Sequence, residues 1–281
     1  MVLIAFVLVL LSAIIHSLWN LFAKQSIHKI TFLWLIHVIS FVMILPYFLM
    51  KISDVTLQGF TIVILLLSMF FQIIYIISLS ISYSWGDYSQ TYPILRGTAS
   101  LVVPILSIVI FHEHITVLGW LGIIIIFFGI FSLSEGANQQ TKKARLATLF
   151  AIAGGLSITG YTISDKFLLD HMDPIIIIQF QNFFHMIGFG WASFTAGKIN
   201  IEWKTNWKII LLGALFMPGA YLVFLFALKI AQVGQLAPIR EISIVFGAIL
   251  GALILKEKQG KRTIISSIVI VIGVIILGLY G

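Results

Sequence analysis

Two short stretches of this chain carry charge where charge is expensive. Gln90-Thr91-Tyr92-Pro93-Ile94-Leu95-Arg96-Gly97 is echoed by Gln235-Leu236-Ala237-Pro238-Ile239-Arg240-Glu241. Each sets a proline and then an arginine a few residues into an apolar run long enough to cross a bilayer. Each run ends on a glutamate between polar neighbours, His112-Glu113-His114 in one and Lys256-Glu257-Lys258 in the other. The arginines stand 144 positions apart and so do these glutamates, while the prolines are 145 apart, so the register slips by one. An ionised group in hydrocarbon is costly, which makes Arg96 and Arg240 the first residues to ask about. A guanidinium offers a planar fork to a substrate carboxylate or phosphate. Alternatively it needs an internal counter-ion. Glu241 reads as the only acid well inside a span, and in the proline register it holds the position of Arg96. Arg240 lies nearer its helix end, within reach of headgroups.

Polar and aromatic side chains gather on the helices expected around this pair. The first helix offers His16, Trp19 and Asn20; the third Gln72 and Tyr75, three apart and so on one face. The fourth adds Tyr92, the sixth Tyr161, the seventh Gln179, Gln181, Asn182 and His185, and the eighth Tyr221. In hydrocarbon such groups turn inward, where they bond between helices or line a wet cavity. Histidine titrates near neutrality, so His16 and His185 are candidates for proton coupling. Pro93 and Pro238 are expected to break their helices at corresponding places, as in the midplane sites of secondary transporters. Pro104 suits packing equally well. No metal site is expected, because His112-Glu113-His114 projects to different sides of a connector and cysteine is absent. No nucleophile and base converge, so no catalytic residue is named. Glu113 and Glu257 read as anchors of helix ends, and Gly247 with Gly251 as a stripe for close helix packing.

The elements that must position these residues follow from composition. With 60% hydrophobic and 10% charged residues, a chain of 281 residues cannot cover a water-soluble surface. The class is an all-α polytopic membrane protein, and its net charge of +7 fits cytoplasmic loops better than nucleic acid. Runs of about 20 apolar residues give ten transmembrane helices at 2–23, 31–50, 59–81, 89–111, 116–134, 146–166, 174–197, 207–229, 235–255 and 262–280. The first reads as a retained span, since no basic region precedes it and no convincing cleavage site follows. The connector 135–145 divides the chain into a first five-helix repeat, 1–134, and a second, 146–281. Odd-numbered connectors hold twelve Lys and Arg and even-numbered ones three, which places both termini outside the cytoplasm. The connector after the fourth helix has none and its equivalent after the ninth has four, as expected of two inverted five-helix repeats. The fifth and tenth helices, nearly all Ile, Leu, Val, Phe and Gly, belong at the periphery. They would face lipid, or a second protomer in a homodimer.

At this point the residues match a known pattern. Trp85-Gly86-Asp87-Tyr88-Ser89 leads to Pro93 and Arg96, and Glu113 precedes Gly119 to Gly129. Ala237-Pro238-Ile239-Arg240-Glu241 is followed by Lys256-Glu257 and a glycine-bearing last helix, and His16-Ser17-Leu18-Trp19-Asn20 with Lys24 closes the first. In order and spacing these resemble the EamA family of the drug/metabolite transporter superfamily over essentially the whole chain. The resemblance implies ten helices in two inverted repeats and transport of small metabolites such as amino acids, often outward. It implies a central cavity lined by helices 1, 3, 4, 6, 8 and 9. It also implies termini in the cytoplasm, against the charge count, which is followed here. The expected function is a secondary-active exporter in the cell (inner) membrane, working by alternating access without cofactor or ATP-binding loop. Arg96, Glu241, Tyr92 and Asn20 would line its cavity and Trp19, Tyr75, Tyr161 and Tyr221 wall it, with Gln72 and Arg240 adjoining. Such a site suits an anionic or zwitterionic small molecule. A flippase for a lipid-linked precursor is the alternative, with an intramembrane enzyme or a scaffold further behind.

Overall fold

A segment crossing hydrocarbon must satisfy its own amides, and a helix does so within one segment. The computed structural model, which describes residues 3–55, 58–86, 88–133, 142–254, 256 and 260–281, is built of helices and has no strand among the described residues. They are α1 (Leu3–Gln25), α2 (Lys29–Lys51), α3 (Gly59–Trp85), α4 (Tyr88–Phe111), α5 (Val117–Ser132), α6 (Lys142–Leu168), α7 (Pro174–Ala196), α8 (Ile199–Ile230), α9 (Val233–Arg240), α10 (Ser243–Ile254) and α11 (Lys261–Tyr280). Nine stretches among the described residues are long and apolar enough to cross a membrane, one of them α9 and α10 taken together. The fifth expected span is shorter, the 16 residues of α5, about 24 Å of rise. Most of the connector between the two halves, and Glu257, lie outside the described residues.

Two boundaries differ from expectation in ways that matter. The eighth helix begins at Ile199, not 207, and its 32 residues rise about 48 Å, more than hydrocarbon requires. The extra turns carry Glu202, fully buried. Its carboxylate accepts the backbone N–H of His28 (2.7 Å) and Ile27 (3.4 Å) and the Asn206 amide (2.6 Å), fixing the turn into α2.

The second difference concerns the prolines. The expected break at Pro93 is absent, and α4 runs unbroken through Pro93 and Pro104. Pro93, the sixth residue of α4, lacks the amide that would reach back to Ser89, a loss that membrane helices tolerate when their surroundings take up the freed carbonyl. The ninth span is broken, but after Arg240 and not at Pro238 itself. There the amides of Glu241 and Ile242 bond the third residue back, to Pro238 and Ile239.

Packing joins the two halves of the chain element by element. Helix α3 lies along α6 and α8 along α1; α4 packs on α6, and α9 with α10 on α1; α2 packs on α7 and α5 on α11. At the last pair the backbones touch. A Cβ at Gly122 would sit 2.9 Å from the Gly273 carbonyl, and one at Gly273 2.8 Å from that of Gly122, so neither can be larger. Those glycines are used within one chain. Gly247, in contrast, has no atom within 4 Å of its Cβ position, so no neighbour approaches it closely. His112 and Lys256, 144 positions apart and each just past the end of its helix, both hold φ at 54°, a rare conformation for side-chain-bearing residues.

Candidate functional site

Five crossings separate the fourth span from the ninth, so the two run in opposite directions. Arg96 is the ninth residue of α4 and Arg240 the eighth of α9, about 12 Å and 10 Å of rise from opposite faces. In a core of ~30 Å such depths meet near the middle. Arg96 Nε donates to Glu241 Oε2 at 2.7 Å, and both side chains are buried. This is a single contact and not the bidentate fork. Arg96 Nη2 is buried without a hydrogen-bond partner among the described residues, and so is Nε of Arg240.

Arg240 does not reach the headgroups. Its span starts two residues earlier than expected and carries it deeper, where its guanidinium lies 5.1 Å from the Tyr221 ring centre and 4.5 Å from that of Phe224. A cation at such distances is held by the aromatic faces. Tyr221 meets Tyr161 edge to face at 6.0 Å, and Tyr161 meets Tyr75 likewise at 6.2 Å, so three of the four expected wall residues form a ladder, while Trp19 packs edge to face on His16 at 5.1 Å. Tyr92 is half-buried within electrostatic reach of Arg96 and Glu241.

The sequence reading missed Asp165. It is fully buried in α6, so Glu241 is not the only deep acid. Its carboxylate accepts Ser68 Oγ (2.6 Å) from α3, Gln181 Nε2 (2.9 Å) from α7 and the Tyr221 hydroxyl (2.6 Å) from α8. The expected span ended at 166, and Lys166 beside it looked like a membrane boundary. A usable signal was present: Tyr161 and Asp165 are four apart and so share a helix face. Lys166 itself turns to the carbonyls of Leu228 and Ala231 at the end of α8.

Other expected residues scatter. His16 accepts from Trp19 Nε1 at 3.2 Å and lies within electrostatic reach of both arginines. Asn20 is exposed, and its amide donates to the His16 carbonyl at 2.9 Å. Gln72 is buried beside Ser68, on the Asp165 side. His185 belongs to a separate cluster between α2 and α7, stacked on His37 at 4.4 Å. His37, which the sequence reading did not single out, meets Asn182 Oδ1 at 3.0 Å. Glu113 does anchor a helix end: its two oxygens accept the N–H groups of Val233 (2.8 Å) and Gly234 (2.9 Å), capping α9 from the other half of the chain. Among the described residues no group of three or more His, Asp or Glu could hold a metal.

The space at the pair is small. A cavity of about 20 Å³ bounded by Arg96, Ser100, Thr162, Phe224, Arg240 and Glu241 has room for one water-sized molecule. That space is far smaller than a small metabolite needs. A larger cavity of about 320 Å³ lies elsewhere, where α2 and α8 end and α6 hands over to α7, lined by Tyr47, Lys51, Asp170, His171, Asp173 and Lys229.

Comparison with known proteins bears on this architecture. Residues 145–279, the second half, match the model of the EamA-like transporter family. An uncharacterized transporter of Archaeoglobus fulgidus is 24% identical over 216 residues, covering 73% of this chain and 75% of its own. A solved crystal structure superposes over 98% of this chain and 96% of its own, with a TM-score of 0.76 and 13% identity, a likeness of fold alone.

Proposed function

We propose that this chain, a multi-pass membrane transporter of the drug/metabolite type whose second half belongs to the EamA-like family, moves zwitterionic or anionic small metabolites such as amino acids by alternating access. The observation that carries the reading is the buried Arg96–Glu241 pair with two unsatisfied guanidinium N–H groups beside it. A substrate carboxylate can take the place of Glu241 on Arg96, and its ammonium can take the place of Arg96 on Glu241. Such an exchange leaves no buried charge alone at any point, which is the condition for moving charge through a low-dielectric core. Arg240 on its aromatic platform would hold the second carboxylate oxygen.

The closed centre is one conformation of a cycle. Reading 1–134 and 146–281 as inverted repeats, the helix pairs exchanged between halves and the matched backbone at His112 and Lys256 support a rocking of one unit against the other. In the same reading the odd-numbered connectors face the cytoplasm of the cell (inner) membrane and the termini lie outside. No chemical transformation is assigned to the site. The test is flux of an amino acid panel in proteoliposomes of the full chain. Substrate-dependent counterflow should be present in the wild type and lost in Arg96→Ala, and flux unchanged by that substitution for every amino acid would remove the site assignment. Because the chain has no cysteine, a single cysteine introduced at Ser26 and labelled from one side reads the orientation directly.

A further inference from the structure

Glu241 and Asp165, two of the buried acids, are held in opposite ways. Glu241 is bound by a permanent cation, Arg96, at 2.7 Å. Asp165 has three neutral donors and no ion-pair partner among the described residues. An ionised carboxylate with three donors is partly stabilised. Ser and Tyr hydroxyls are acceptors as well as donors, so they can turn and accept from a protonated Asp165. Both forms are thus satisfied, whereas Glu241 without its charge would strand Arg96. Asp165 is the acid built to change state.

Among the described residues no charged side chain is bonded to it. Of the elements packed on it, α3 presents Ser68 and Gln72, with Tyr75 a turn further on, and α7 presents Gln181; α8 presents Tyr221. Within α6, Tyr161 lies one turn back within electrostatic reach of Asp165, Glu241 and both arginines, while Lys166 is committed to the α8 carbonyls. Tyr221 is shared: its hydroxyl is on Asp165 and its ring is under Arg240. Arg240 is therefore reached only through that ring.

We propose, resting on the transport reading above, that Asp165 is the proton-binding site that couples transport to a proton gradient. In the cycle a carboxylate oxygen of Asp165 forms an O–H bond as a hydronium on one side gives up its own and becomes water; on the other side that bond breaks as a water takes the proton and becomes hydronium, with no redox change. The sign of coupling follows from counting charge. Arg96, Arg240, Glu241 and an ionised Asp165 sum to zero; protonation leaves one positive charge in excess beside the orphan guanidinium donors. Proton and substrate carboxylate therefore favour one another's binding, and by linkage the effect is reciprocal. Protonation also weakens the hydrogen bonds that tie α6 to α3, α7 and α8, since bonds to a charged acceptor are about twice as strong as neutral ones. That loosening is what lets the closed junction open.

The experiment needs no substrate at first. Infrared difference spectra of the full chain in lipid nanodiscs, between acid and alkaline buffer, should show a protonated carboxylic acid band that titrates. The band should vanish in Asp165→Asn, persist in Glu241→Gln, and shift in Tyr221→Phe, which keeps the ring and removes one hydrogen bond. If Asp165→Asn does not fold, the Tyr221→Phe shift alone identifies the group. A wild type with no titrating band, a band kept in Asp165→Asn or unmoved in Tyr221→Phe, or one that responds to sodium at fixed pH would each overturn the proposal. Proteoliposomes holding a pH dye then test coupling: an imposed amino acid mixture should move protons in the same direction as substrate in the wild type and not in Asp165→Asn. Persistence of the band with flux indifferent to Arg96→Ala would sink the substrate site while leaving the proton site standing.

Discussion

The segments Pro93–Gly97 and Pro238–Glu241 began as one pattern and end as two structures. In α4 the arginine stands three residues after its proline; in α9 it stands two after, and Glu241 takes the third place. Two antiparallel helices related by a pseudo-axis bring equivalent positions face to face. An exact copy would therefore set arginine against arginine in a medium where like charges repel strongly. With glutamate in the equivalent place, the meeting becomes a 2.7 Å ion pair. Arg240, one residue earlier, is turned by about 100° and falls on Tyr221 and Phe224 instead. The one-residue difference in spacing thus sets Glu241 on Arg96 and Arg240 on the rings of α8.

The largest effect should come from breaking the pair. Glu241→Ala leaves a buried guanidinium alone and should cost about 3–5 kcal/mol, read as a fall in thermal or denaturant midpoint in detergent. Exchanging the two, Arg96→Glu with Glu241→Arg, should recover most of it, because the positions are near-equivalent. A swap no better than the single variant would show that they are not. Next is the cap on α9. Glu113→Gln gives up a carboxylate shared by two amides at a helix N-terminus and should cost about 1–2 kcal/mol by the same assay. Gly234→Ala should be at least as damaging, since its Cβ would run into Ser107 Oγ. Smaller again is Phe224→Leu, which removes the nearer ring from Arg240 and should cost about 0.5–2 kcal/mol. A substitution cycle with Arg240→Gln should show coupling, whereas one with Arg96→Gln should not.

Most of the fold was legible because hydrocarbon enforces it. Runs of apolar residues can only be helices there, and the ten spans fall within a few residues of the observed helices except at the start of α8. The pair was legible for the same reason: a deep arginine needs an acid, and the proline register pointed to Glu241. Asp165 was not, because Lys166 beside it resembles a boundary and only the turn of α6 shows the two pointing apart. The local bond of Asn20 was not legible either: an amide in a helix can bond its own backbone, as this one does at His16. His37 was overlooked because its partner His185 lies in the other half of the chain, and nothing in linear spacing joins them.

The smallest effect should be the one that sequence alone would rank highest. Pro238 and Pro93 are each the sixth residue of their helix, yet only the ninth span breaks, and it does so after Arg240. The altered bonds run from Glu241 to Pro238 and from Ile242 to Ile239, and neither uses the amide that proline lacks. The side chains supply a better cause. Glu241 is drawn to Arg96 while Arg240 is drawn to the rings of α8, and the tighter turn lets neighbouring residues serve both. Pro238→Ala should then change stability by about 1 kcal/mol or less and leave hydrogen exchange at Ile242 and Ser243 as it was. Glu241→Gln, by relaxing one of the two pulls, should slow exchange at those same amides. The reverse outcome, slowing by Pro238→Ala alone, would return the break to the proline and make α4 the exception that needs explaining.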